Sequence, residues 1–86
     1  MDRDQLVNDL KEIIKPYTEN IQGLENISEQ TDLLIDLKIN SANLVDIILD
    51  IEEKFDIVID NDSMSRMVNI KETMSVINEK LAKNVG

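Results

Sequence analysis

Apolar positions along the chain fall into helical registers separated by stretches where the spacing breaks down. Leu6, Leu10, Ile13, Ile14 and Tyr17 recur at three- and four-residue intervals and predict a first helix from about Asp4 to about Lys15. Pro16 is expected to end or kink it, since proline lacks a backbone N–H and restricts the residue before it. A long connection follows, from Thr18 to about Ile39. It carries Gly23 and two apolar clusters, Ile21/Leu24/Ile27 and Leu33/Leu34/Leu37. Those clusters imply a loop pinned to the core, with short helical turns expected at Leu24–Ile27 and Leu33–Leu37.

The clearest pattern begins near Ser41. On a helical wheel of roughly 100° per residue, Leu44, Ile47, Ile48, Ile51 and Phe55 form one stripe. Asp46, Asp50 and Glu53 fall opposite, and Val45 and Leu49 lie on the flank between. Amphipathicity explains the stripe and the acidic back. It does not require two large apolar flank residues. They are either exposed contact points or covered by neighbouring loops, and periodicity alone does not choose. Beyond Phe55, Ile57-Val58-Ile59 reads as a linker, because no second strand-like run exists to pair with it. Asp60 to Met67 predicts a short helical turn with Met64, Met67 and Val68 pointing inward. The last helix is expected to start at Asn69, where Glu72 three residues on gives a capping-box-like beginning. Met74, Ile77 and Leu81 form its core stripe with Ile70 and Val76 beside them, and the final Lys-Asn-Val-Gly is expected to fray. The expected fold is all-α: a small four-helix bundle of three main helices plus one short helix, with a long ordered first loop, in a single domain spanning residues 1–86.

Composition narrows what such a bundle can do. Aromatics make up 2% of the chain, so aliphatic residues and methionine must fill the core. The formal net charge of −9 argues against nucleic acid, which needs a basic stripe, and favours basic partner proteins. With no cysteine and no histidine, disulfides, thiolate chemistry, Cys/His zinc sites and a histidine-activated serine are all excluded. No apolar run is long enough to span a bilayer, and the acidic beginning does not suit a signal peptide, so a cytoplasmic protein is expected.

Three features invite a chemical reading. Asp60-Asn61-Asp62 faintly resembles a calcium loop, but Met64 occupies the next ligand position and the glycine is missing, so helix capping explains the acids better. The carboxylates of the Asp46 helix lie on its polar face. They should be solvated, without the shielded, raised-pKa partner that acid–base catalysis needs. A landing strip for a basic partner is the sharper reading. The third feature is Asn40-Ser41-Ala42. Asn40 is a good N-cap, which leaves the Ser41 hydroxyl free at the helix N-terminus. A phosphodiester there would meet free backbone N–H groups and the positive end of the helix dipole, worth about 0.3–1 kcal/mol. A serine near a helix start is nonetheless commonplace, and capping alone accounts for it.

The stretch "DLLIDLKINSANLVDIILDIEEKFDIVIDND" resembles the central segment of acyl carrier proteins. In that family an Asp-Leu pair precedes Asp-Ser-Leu and an acidic helix ending Glu-Glu-x-Phe. Asp36-Leu37 matches the pair, Ser41 the modified serine, and Glu52-Glu53-Lys54-Phe55 the helix end. The resemblance implies a carrier and not an enzyme. A phosphopantetheinyl transferase would move 4′-phosphopantetheine from coenzyme A onto Ser41, and the arm's thiol would hold an acyl group as a thioester. Val45 and Leu49 match apolar positions presented to partner enzymes, and Asp46, Glu52 and Glu53 match acidic recognition positions. With Asn40, Ala42 and Asp50 they form the expected contact surface for the transferase and for acyl-transferring and synthase enzymes with basic docking surfaces. The chain itself is expected to be a monomer.

Two residues depart from the family pattern: Asn40 replaces Asp, and Ala42 replaces Leu. A charge-assisted hydrogen bond contributes about 1.5–3 kcal/mol and a neutral one about 0.5–1.5. A transferase that grips the aspartate would therefore bind more weakly here. The departures point to a carrier for a dedicated fatty-acid or polyketide-type pathway. An aminoacyl or peptidyl carrier, and a carrier-shaped interaction domain that is never modified, are the alternatives.

Overall fold

The computed structural model describes residues 3–85, with side chains through residue 82. Three long helices carry the architecture: α1 (Arg3–Ile14), α3 (Ser41–Phe55) and α5 (Ile70–Val85). Two short ones, α2 (Ile21–Glu25) and α4 (Asn61–Arg66), sit in the connections. The all-α bundle expected from the spacing is present, and the long first loop contains a helical turn of its own. The predicted fraying at 83–86 concerns residues whose side chains lie outside those described.

The apolar stripes become the core. Leu6, Leu10, Ile13 and Ile14 of α1 meet Ile47, Ile48, Ile51 and Phe55 of α3, with Ile70, Met74, Val76 and Ile77 of α5 closing the cluster. Fully burying one such side chain contributes about 1.5–3 kcal/mol, so these contacts dominate the fold's stability. Leu44 and Leu81 pack against the same cluster while staying partly exposed. Each helix stops for a local reason. After α1, Pro16 cannot donate, and the chain turns with the Tyr17 N–H on the Ile14 carbonyl. α3 ends at Asp56, whose left-handed backbone (φ 54°) breaks the helical ladder. α5 begins with Asn69 as its cap: the Asn69 Oδ1 accepts the Glu72 N–H at 2.8 Å, one half of the expected capping box. The Glu72 carboxylate turns instead toward Arg66, 3.8 Å away.

The first connection differs in detail from its predicted turns. The helical turn lies at Ile21–Glu25 and not at Leu24–Ile27, because Asn20 caps it by accepting the Gly23 N–H at 3.0 Å. A Cβ on residue 23 would lie 2.5 Å from Asn20 Nδ2, so this cap depends on glycine. Leu33–Leu37 is not a helix. Asp32 organises it as a turn, its carbonyl accepting the Asp36 and Leu37 N–H groups and its Oδ1 those of Leu34 and Ile35. Leu33 and Leu37 go into the core, whereas Leu34 and Ile35 are 42% and 75% exposed.

Val68 is the clearest correction. It was expected to point inward but is 53% exposed. After Met67 the chain is extended and runs antiparallel to the Thr31–Leu33 stretch, with an isolated bridge between Asp32 and Asn69. The Leu33 N–H donates to the Val68 carbonyl and the Ile70 N–H to the Thr31 carbonyl. Extended backbone alternates sides, so Met67 faces in and Val68 faces out, while Ile70 is buried as the first residue of α5. The Ile57-Val58-Ile59 linker alternates likewise, with Val58 out.

Candidate functional site

Asn40 stands immediately before α3 with extended backbone, and its Oδ1 accepts the Ala42 N–H at 2.9 Å. The cap is therefore complete without Ser41. Ser41 is the first helical residue and is exposed. Among the described residues its hydroxyl has no hydrogen-bond partner, and the backbone N–H groups of Ser41 and Asn43 also lack acceptors. Ala42 is exposed as well.

The segment leading to Ser41 is held tightly. The Thr18 hydroxyl donates to the Leu37 carbonyl, and the Asn20 amide donates to the Asp36 carbonyl at 2.8 Å. The Ile39 N–H reaches the Leu33 carbonyl. Leu37 and Ile39 are both buried. Between them Lys38 takes a left-handed conformation with φ 53°, which costs a residue with a side chain about 1–2 kcal/mol. Two buried anchors flanking one residue account for its persistence. Thr18 and Asn20 were not singled out from the sequence as positioning residues. Short polar side chains in a loop carry no spacing signal that would mark them.

Along α3 the flank residues Val45 and Leu49 are 46% and 53% exposed. No neighbouring loop covers them. The acids divide into two kinds. Asp46 and Glu53 are exposed and make no hydrogen bond or ion pair among the described residues. Asp50 and Glu52 are partly buried and each has an internal task. Asp50 accepts the Tyr17 hydroxyl at 2.9 Å, and Glu52 accepts the Ile59 N–H at 2.7 Å, tying the linker to α3. The hydrogen bond to Asp50, desolvation, and the negative charges of Asp50 and Asp46 all push the Tyr17 phenol above its ordinary pKa. Tyr17, read from the sequence only as a core position, thus braces α3 with its polar tip. A shallow hollow lined by Leu49, Asp50, Glu53 and Ile57 lies at the C-terminal end of this face.

Asp60 behaves as a cap, its Oδ1 accepting the Ser63 N–H at 2.7 Å while Oδ2 meets Lys80 at 3.3 Å. Among the described residues no group of three or more Asp or Glu side chains is arranged to hold a metal ion. No described helix is long and apolar enough to cross a membrane.

Two known proteins share most of this chain. One is an acyl carrier protein of Desulforapulum autotrophicum, 34% identical over 68 residues that cover 77% of this chain and 88% of the relative. Another, from Coprothermobacter proteolyticus, is 28% identical over 81 residues, covering 94% of this chain and 96% of its own. No family model matches the chain.

Proposed function

Because this chain belongs to the acyl carrier protein family, and is therefore a carrier and not an enzyme, we propose that Ser41 is the attachment point of a 4′-phosphopantetheine arm. The observation that carries this reading is the separation of cap from hydroxyl. Asn40 satisfies the helix end, so the exposed Ser41 oxygen has no structural task and is available as a nucleophile. The residues present fit the group. A phosphodiester on Ser41 would lie at the positive end of α3, near the unpartnered Ser41 and Asn43 N–H groups, an interaction of about 0.3–1 kcal/mol. When bound, the arm supplies a thiol that holds an acyl group as a thioester. The chain contains no cysteine of its own for that task and no histidine to take the Ser41 proton. A base supplied by the phosphopantetheinyl transferase would take that proton.

The contact surface for that transferase, and for acyl-transferring enzymes with basic docking surfaces, centres on exposed Val45 and Leu49 with Asp46 and Glu53 beside them. Asp50 and Glu52 contribute charge to the same face while their carboxylates are engaged internally. Asn40 and Ala42 set how a transferase grips the serine, and their departure from Asp and Leu points to a dedicated fatty-acid or polyketide-type pathway.

The test is intact mass after incubation with coenzyme A and a broad-specificity transferase. One phosphopantetheinyl group should be added to the wild type and none to Ser41→Ala, whose circular dichroism and melting curve should be near wild type. Modification that persists in Ser41→Ala, or a wild-type chain that is never modified, would overturn the assignment. The latter would favour an unmodified interaction domain.

A further inference from the structure

We propose that the open hollow beside the start of α3 seats the proximal part of the pantetheine arm, with the Lys38 ammonium facing its phosphodiester. This inference rests on the reading of Ser41 as the attachment point. Tyr17 and Glu19 line the hollow from the beginning of the first connection, Leu34, Lys38 and Ile39 from its end, and Asn40 and Asn43 from the cap and first turn of α3. Asn40 immediately precedes Ser41, so the hollow lies next to the serine.

Several of its polar groups are unused by the fold. Lys38, Glu19 and the Asn43 side chain have no hydrogen-bond or ion-pair partner among the described residues. Asn40 spends its Oδ1 on the cap and keeps its amide N–H groups free. The arm presents, in order from the serine, a phosphodiester anion, a carbon bearing two methyl groups, a hydroxyl and two amides. The hollow offers the Lys38 cation for the phosphodiester, with the Glu19 carboxylate as an acceptor for the arm's hydroxyl or amide N–H groups, apolar surface from half-exposed Leu34, and free amide donors and acceptors. Its surface is more polar than apolar, which suits an amide-bearing arm and not an acyl chain. The Lys38 backbone is a second sign. It occupies a left-handed conformation that glycine adopts without strain. A lysine there accepts a backbone penalty that a glycine would not, and it places a cation three residues before the serine. Tyr17 is fixed in place by its bond to Asp50, so the hollow is already formed before any arm enters.

The experiment uses the full chain loaded with an isotope-labelled arm carrying no acyl group, with loading at Ser41 established by mass. Nuclear Overhauser contacts are then recorded between the arm and the protein. Expected are contacts from the arm's paired methyl groups to Leu34 and the Tyr17 ring, with a ring-current shift of those methyls. Lys38→Glu should weaken these contacts several-fold. Lys38→Gly removes the ammonium while relaxing the backbone, so it should weaken them with no loss of melting temperature. A loaded arm with no contacts to these residues, or with contacts only to Val45 and Leu49, overturns the seat alone. Contacts that are unchanged in both Lys38 variants overturn the role of the ammonium. A chain that takes up no arm at Ser41 overturns both the seat and the reading beneath it.

Discussion

Asn40 is where capping and chemistry part company. With its Oδ1 on the Ala42 N–H, Asn40→Ala should lower stability by about 1 kcal/mol, measured by urea unfolding, whereas Ser41→Ala should leave it nearly unchanged. Restoring the family pattern is the more informative change. Asn40→Asp keeps an acceptor for the cap and adds negative charge at the positive end of α3. Ala42→Leu adds apolar surface at an exposed position, so packing strain is small. The double variant should be modified faster by a fatty-acid-type transferase, with kcat/KM raised and melting temperature nearly constant. A rate that is unchanged or lower in the intact fold would mean that Asn40-Ser41-Ala42 is not a weakened form of the usual signal. Of the candidate site, the Asn40 cap was legible in the sequence, whereas periodicity left Val45 and Leu49 open between exposed and covered, and the structure exposes them. The bracing by Tyr17 was not legible, because an apolar ring at helical spacing reads as core whatever its hydroxyl does.

Among the elements, α1, α3 and α5 were legible because each carries a stripe several turns long. The short pieces were not, since a single turn is set by polar caps and by pairing with distant backbone. Asn20 shows this. Its side chain both caps α2 and holds the Asp36 carbonyl in the approach to Ser41. A lost cap costs about 0.5–2 kcal/mol and a lost neutral hydrogen bond about 0.5–1.5. Asn20→Ala should therefore destabilise the fold by roughly 1–3 kcal/mol and speed amide exchange at Leu37 and Ile39. Unchanged exchange there would show that buried Leu37 and Ile39 hold the segment alone. α4 depends on Asp60, whose carboxyl is held down to about 2 from 3.8 by hydrogen bonds from the Ser63 N–H and hydroxyl and then by Lys80. A folded pKa below the unfolded one stabilises the native state above pH 3.8, and that contribution is lost as pH falls from 3.8 to about 2. Asp60→Asn keeps an acceptor for Ser63 without the charge. Its denaturation midpoint should lie below wild type at neutral pH, and the gap should close through that window. A gap independent of pH would show that the charge contributes nothing.

At the scale of the whole molecule, the net charge of −9 is concentrated between residues 46 and 62. Asp46, Asp50, Glu52, Glu53, Asp56, Asp60 and Asp62 lie there with Lys54 as the only basic residue in the stretch. Lys54 reaches back to Asp9 at 3.9 Å, and Lys80 reaches Asp60. Such exposed pairs contribute about 0–1 kcal/mol each, too little to offset the crowding. The molecule measures 38 × 26 × 20 Å, against a screening length of about 10 Å at 0.1 M salt. Added salt therefore quiets repulsion along α3 as well as across the fold. Salt or magnesium should raise the melting temperature, and a flat or falling titration would show that internal bonds such as Tyr17–Asp50 already relieve the repulsion. The central claim, that Ser41 bears an acyl-carrying arm, is tested most directly by the mass of the protein isolated from the organism that makes it, with fragmentation to locate any added group. Expected is one phosphopantetheinyl group on Ser41, bare or extended by an acyl chain. A bare polypeptide mass, or a group on any other residue, would contradict it.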